Sequence, residues 1–219
     1  MLTLYGHPMS RAHRVMWLLR ELDVPFEHVH TDFIHGGNKT TEFLKLNPNG
    51  KVPALRDGEI VMYESLAINL YLARKFPSSL SFQTLGEEAH GLQWSFWAVN
   101  EIEKTLFVAC ENLFFFPEAD RRPAEAKLAL DKLARPLRVL NDHLASHDYL
   151  LGARFTVADI NLASIMTLVP IANVDITAFQ HVARWLAHCL DRPAADDYKI
   201  IKFTVPRPAT EGAWMQSLM

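Results

Sequence analysis

The stretch that most restricts this chain is residues 47–68, NPNGKVPALRDGEIVMYESLAI. An Asn-Pro-Asn-Gly turn leads to a Val-Pro step and a short apolar run, and Asp57-Gly58 separates that run from a second one, residues 60–63. Turn chemistry and periodicity predict loop, strand, hairpin turn, strand, and a helix starting at Glu64-Ser65. Pro53 at the head of the first strand removes a donor that the ladder would otherwise use. With a cis Val52-Pro53 bond, the Val52 N–H and C=O turn outward together and can pair with an extended peptide as with one more strand. At the other end, Ser65 stands where a helix N-terminus offers free N–H groups to an anion, and Glu64 beside it suits an ammonium group. The two ends describe a site for a small zwitterionic peptide.

Around this stretch the pattern is regular. Residues 2–5 read as a strand and Gly6-His7-Pro8 as the turn after it. Val15, Leu18, Leu19 and Leu22 follow the i, i+3, i+4, i+7 spacing of a helix with one buried face, and Ser10 is expected at its N-cap. Pro25 ends that pattern, residues 26–29 resume as a strand, and the resulting β-α-β unit should be parallel and right-handed. A Gly-containing loop and a short helix at 42–46 complete a β-α-β-α-β-β-α order, which is that of a thioredoxin-like fold. After residue 75 comes a turn-rich linker, FPSSLSFQTL, and then helices. Leu92, Phe96, Val99, Ile102, Leu106, Ala109 and Leu113 predict one long helix. Ala126 to Leu144 predict a second, with Pro136 kinking it. Thr156 and Asp159 have capping-box spacing, with Phe155 and Ile160 placed for a hydrophobic staple, before a helix apolar nearly all round. A further helix is expected over 179–190 and another from residue 191; the proline-containing tail from Pro206 is expected to be irregular.

NPNGKVPAL followed by YESLAI, with YGHPMS upstream and FTVADINLA downstream, resembles the cytosolic glutathione S-transferase superfamily, serine-type and phi- or theta-like, over nearly the whole chain. The resemblance implies an α/β plus all-α architecture: an N-terminal thioredoxin-like, glutathione-binding domain over 1–77 and a C-terminal α-helical bundle over 86–219. It implies glutathione as co-substrate, a small and apolar electrophile as its partner in the reaction, a homodimer, and a role in detoxification. The second domain would shape the electrophile pocket. It also implies that Val52 with Pro53, Glu64 and Ser65 hold the tripeptide, with Lys39 placed for the glycine carboxylate, Asn38 beside it, and Lys51 where relatives often carry glutamine.

A thiol attacks electrophiles as thiolate, and at a free pKa of about 8.5 little is ionised at neutral pH. Lowering that value by about 2 units requires about 2.7 kcal/mol. A helix N-terminus supplies about 0.3–1 kcal/mol, and one hydrogen bond to a charged group about 1.5–3 kcal/mol. The dipole alone falls short, so a hydroxyl donor is needed. Two compete: Ser10, which matches the G-x-P-x-S pattern of serine-type relatives, and Tyr5, where tyrosine-type relatives place theirs. Taken alone, Ser10 would be a plain helix cap and Tyr5 a packed strand residue. Beside the peptide motifs, Ser10 is the expected donor.

Other chemistries find less support. The net charge of −3 with interspersed signs leaves no basic stripe for nucleic acid. There is no charge-free apolar stretch of about 18 residues and no signal-like start, so no membrane association and a cytoplasmic location are expected. Cys110 and Cys189, far apart, form neither a CxxC pair nor a disulfide framework. His143 and His147 lie one helical turn apart but lack a third ligand, so no metal is expected. The absence of cysteine at position 10 argues against the branch that forms mixed disulfides. The rivals to a transferase are a non-catalytic glutathione-binding scaffold, and a glutathione-dependent peroxidase or isomerase using the same thiolate.

Overall fold

A computed structural model describes residues 1–201 and residue 204; the expectation for the tail from Pro206 lies outside them. The chain divides into two compact units between Phe76 and Pro77.

In the first unit the elements run β1 (Leu2–Gly6), α1 (Ala12–Glu21), β2 (Phe26–His30), a 3-10 turn at Gly37–Lys39, α2 (Thr41–Leu46), β3 (Ala54–Asp57), β4 (Ile60–Tyr63) and α3 (Ser65–Lys75). The sheet order is β2-β1-β3-β4. The β1–β2 pair is parallel, as the α1 crossover requires, and β1–β3 and β3–β4 are antiparallel. This is the thioredoxin-like order expected from the sequence. Leu4 and Leu55 oppose each other in register and are fully buried. Val15, Leu18 and Leu19 of α1 and Ile68 and Leu72 of α3 are buried equally deeply. Because side chains alternate along a strand, Tyr5 takes the other face. There it joins Val52 against a cluster of Phe43, Leu46 and Ala54, covered by α2. Asp57 ties the hairpin to α3, accepting from Tyr71 Oη at 2.6 Å and pairing with Lys75.

The second unit is helical: α4 (Leu85–Trp97), α5 (Lys104–Cys110), α6 (Pro123–Leu144), α7 (Val157–Met166), α8 (Leu168–Ile171), α9 (Gln180–Leu190) and a closing 3-10 segment, Pro193–Ile200. A π-helical segment, Ala98–Glu103, joins α4 to α5, and a second, Glu111–Phe115, extends α5, giving one helical run over 85–115. The long helix is there, and its expected face is buried from Ile102 to Ala109 but not at Phe96 and Val99. Trp94, Ala98, Ile102, Leu106 and Ala109 are buried, whereas Phe96 and Val99 are exposed. Wide π turns change the phase that a 3.6-residue period assumes. The α6 helix continues through Pro136 without interruption.

Every residue of α7 is buried. Its capping box forms: Thr156 N–H donates to Asp159 Oδ2 at 2.9 Å, and Ala158 N–H donates to Thr156 Oγ1 at 3.3 Å. Asp159 also accepts from Leu150 N–H at 2.9 Å and from the Trp185 indole at 3.0 Å, so one carboxyl joins α7, α9 and the loop before them. Burial pushes that carboxyl above the ordinary aspartate value while these donors pull it down. Cys110 and Cys189 are both buried and unbridged, and burial raises the Cys110 thiol well above its usual range.

Candidate functional site

The turn between β1 and α1 carries Ser10. Its N–H and its hydroxyl both reach the His7 carbonyl, at 2.8 and 2.7 Å, and its Oγ accepts from Ala12 N–H at 3.2 Å. The cap itself differs from expectation. The residue preceding the helix is Arg11, whose side chain does not cap it, and Ser10 sits one position earlier in a serine turn. Met9 N–H donates to His7 Nδ1 at 3.0 Å. The Ser10 carbonyl accepts from His13 N–H and faces His13 Nδ1 at 2.7 Å. Gly6 makes the turn possible: a Cβ there would stand 2.5 Å from Ala12 Cβ, and it would approach Pro53 Cα at 3.8 Å.

Pro53 follows a cis bond from Val52. The loop before it is held by Asn47, which donates from Nδ2 to Lys51 O at 2.7 Å and accepts from Asn49 N–H at 3.0 Å. Lys39 arrives on the same loop, its Nζ donating to Gly50 O at 2.8 Å, and Asn38 Nδ2 donates to that oxygen at 2.7 Å. Asn38 is buried, and its Oδ1 has no partner. Gly50 has φ +59°, and a Cβ on it would press on the Lys39 side chain at 3.0 Å.

Glu64 and Ser65 end the constellation. Glu64 has φ 72° and ψ 104°, outside the ordinary left-handed well. A glutamate held there costs conformational energy, and such outliers cluster at functional sites. Ser65 begins α3, is 5% exposed, and its hydroxyl lies 3.5 Å from Arg14 Nη1. Arg14, projecting from the first turns of α1, is itself only 4% exposed. Its carbonyl accepts from Asn69 Nδ2 at 3.3 Å. A buried guanidinium beside a serine at a helix N-terminus is a strong place for a carboxylate. Sequence reasoning missed Arg14; the only signal is its place four residues after Ser10.

These contacts bring Arg14 to Ser65 and tie Lys39 to the loop leading to Val52, and Gly6, at the head of the turn that carries Ser10, lies close to Pro53. Tyr5 packs beside Val52 and lines a cleft of about 430 Å³ under α2, with Val29, Phe43 and Arg56. His143 and His147 stack at 4.5 Å, with His143 Nε2 on the Leu150 carbonyl and His147 Nδ1 on the His143 carbonyl. Their nitrogens thus serve the end of α6. Among the described residues no group of three or more His, Cys, Asp or Glu is arranged to hold a metal ion.

Comparison with known proteins decides the family. Residues 1–74 match the family described as "Glutathione S-transferase, N-terminal domain", and residues 105–193 match "Glutathione S-transferase, C-terminal domain". "Glutathione S-transferase 3" of Zea mays is 34% identical over 223 residues, covering 97% of this chain and 99% of the relative. The chain belongs to the glutathione S-transferase family. Within that family, a theta class glutathione S-transferase from Xanthomonas axonopodis pv. citri, solved with glutathione bound, superposes with a TM-score of 0.85 at 30% identity. That match covers 93% of this chain and 99% of the solved one. The family's neighbourhood also holds a protein of another name: "Disulfide-bond oxidoreductase YfcG" of Escherichia coli (strain K12) is 31% identical over 89% of this chain and 92% of its own length.

Proposed function

We propose that the chain is a glutathione transferase that binds the tripeptide on its first unit and uses the thiolate against a small, apolar electrophile. The observation that carries the reading is Ser65 at the start of α3 with Arg14 Nη1 at 3.5 Å from its hydroxyl, within the same turn-and-helix assembly that presents Ser10. The γ-glutamyl carboxylate would lie on the α3 N-terminus and the Ser65 hydroxyl, and its ammonium on Glu64. The Val52 backbone beside Pro53 would pair with the cysteinyl residue, and Lys39 would take the glycine carboxylate.

Ser10 would then donate to the sulfur. In the free protein its proton points at the His7 carbonyl and its oxygen accepts from Ala12 N–H. Rotation of the hydroxyl turns the donor to the sulfur while the Ala12 N–H stays on the oxygen. One such charge-assisted bond, about 1.5–3 kcal/mol, provides most of the roughly 2.7 kcal/mol needed for a two-unit fall in thiol pKa. In the reaction with an aryl halide, sulfur forms a bond to the halogen-bearing carbon, halide leaves with its electron pair, and the thiol proton passes to solvent.

A homodimer in the cytoplasm and a detoxifying role complete the reading. Exposed Ile60 and Val61 on the edge strand β4, and Leu85, Phe96 and Val99 in the helical unit, support the dimer. The relative named as a disulfide oxidoreductase favours a second reading, in which two glutathione thiols reduce a peroxide or disulfide and leave as glutathione disulfide.

Calorimetry with glutathione, followed by assays with an aryl halide and a hydroperoxide, tests the proposal. Saturable uptake with aryl-halide turnover is expected. No uptake refutes the proposal; uptake with turnover of hydroperoxide alone transfers it to the peroxidase, and uptake without turnover to the scaffold.

A further inference from the structure

The turn that carries Ser10 contains a titratable side chain whose lone pair is part of the turn. His7 Nδ1 accepts the Met9 N–H at 3.0 Å, which it can do only while that nitrogen carries no proton. The same residue's carbonyl receives both the Ser10 N–H and the Ser10 hydroxyl. The imidazole and the peptide of His7 thus hold two successive residues, and the second is the proposed thiolate donor. This side-chain acceptor for the N–H two residues on is the bond that Asn makes in an Asx turn.

The surroundings resist charge on this ring. His30 of β2 stands with its ring 4.5 Å from that of His7, and Phe33 packs edge-on at 5.7 Å. His28, also of β2, faces the His30 ring at 6.4 Å and places its Nε2 on the Gly6 carbonyl at 3.0 Å. Asp32, the one acid among the described residues that acts on the group, has its carboxylate engaged by His35 and by the Ile34 and His35 N–H groups. Burial, His30 and His28 hold His7 below the usual imidazole value, against an upward pull from Asp32.

We propose that His7 is a positioning residue for the transferase reaction: its neutral imidazole fixes the turn that aims the Ser10 hydroxyl, and its protonation releases that turn. The inference rests on the transferase reading. Protonated, Nδ1–H would face Met9 N–H, donor against donor, and the turn would lose its side-chain anchor. Ser10 would keep its bonds to the His7 carbonyl, but on a segment free to shift, and alignment with the sulfur would suffer. Activity then falls in acid for two reasons, protonation of the thiolate and protonation of His7. The peptide's own holders Val52, Glu64 and Ser65 lie on other elements, and Arg14, beside Ser65, lies within α1 beyond the turn.

His7→Asn and His7→Phe separate these effects. Asn keeps an acceptor for Met9 N–H without titrating near neutrality; Phe keeps a ring without an acceptor. The expected result for His7→Phe is a kcat lower by about tenfold, the scale of one hydrogen bond, with the KM for glutathione unchanged. His7→Asn should keep near wild-type kcat at neutral pH and show an acid limb with a single protonation where the wild type shows two. In nitrogen-15 NMR spectra of the wild type, the Met9 and Ser10 amide resonances should move with the His7 titration, and in His7→Asn they should stay still. Wild-type kcat in His7→Phe, an acid limb unaltered in His7→Asn, or amide resonances indifferent to His7 would each overturn the proposal. Failure of the wild-type protein to take up glutathione overturns the transferase reading and the catalytic half of this one, whereas the amide titration judges the turn by itself.

Discussion

Ser10 and Tyr5 began as rival donors, and they stand in different surroundings, Tyr5 on β1 and Ser10 in the turn beyond it. Tyr5 packs with Val52 on the cluster under α2, while Ser10 hangs from the His7 carbonyl beyond the end of β1. Ser10→Ala is therefore expected to lower kcat/KM by about 10- to 100-fold, the equivalent of a lost charge-assisted bond, and Tyr5→Phe to leave it within about twofold of wild type. Steady-state kinetics with an aryl halide checks both, and the reverse ordering would transfer the role to Tyr5. Ser10, Val52 and Ser65 were legible as candidates because each lies in a short motif whose turn chemistry is local. Arg14 was not, because arginine in an amphipathic helix reads as solvent-exposed; only tertiary packing reveals that it is buried beside Ser65. His7 was legible only as a turn residue, since a bond from its ring to the backbone depends on a rotamer that spacing does not encode.

The capping box before α7 is the element whose sequence reading carried furthest, down to the Thr156 N–H on Asp159 Oδ2. Thr156→Ala removes the acceptor for Ala158 N–H in a fully buried setting. The expected loss is about 0.5–2 kcal/mol, which for a chain of this size is a fall of about 1–8 °C in Tm. Calorimetry checks it, and an unchanged midpoint would reduce the motif to a passive turn. What the motif did not disclose is the reach of Asp159 to Leu150 and Trp185, because contacts between separate elements leave no local periodicity. The helical run over 85–115 illustrates the same limit. Its length was readable from recurring apolar residues, but Phe96 and Val99 are exposed and Trp94 and Ala98 are buried. Apolar spacing marks faces that avoid water without saying whether this chain or another covers them.

At the scale of the molecule, that exposed apolar surface bears on the proposed dimer. Phe96 is 66% and Leu85 82% exposed, large apolar side chains that a second copy of the chain would cover in the proposed assembly. Sedimentation of the wild-type protein is expected to give twice the chain mass, and Phe96→Glu or Val61→Lys to shift it toward one chain. A wild-type protein that sediments as a single chain would leave those residues without a partner of its own kind. The division between Phe76 and Pro77 has a different consequence. On the proposed assignment, every group that grips the tripeptide falls before that point. The constant reactant and the variable one are then recognised by separate stretches of chain, so substitution can retune the latter without eroding hold on the former.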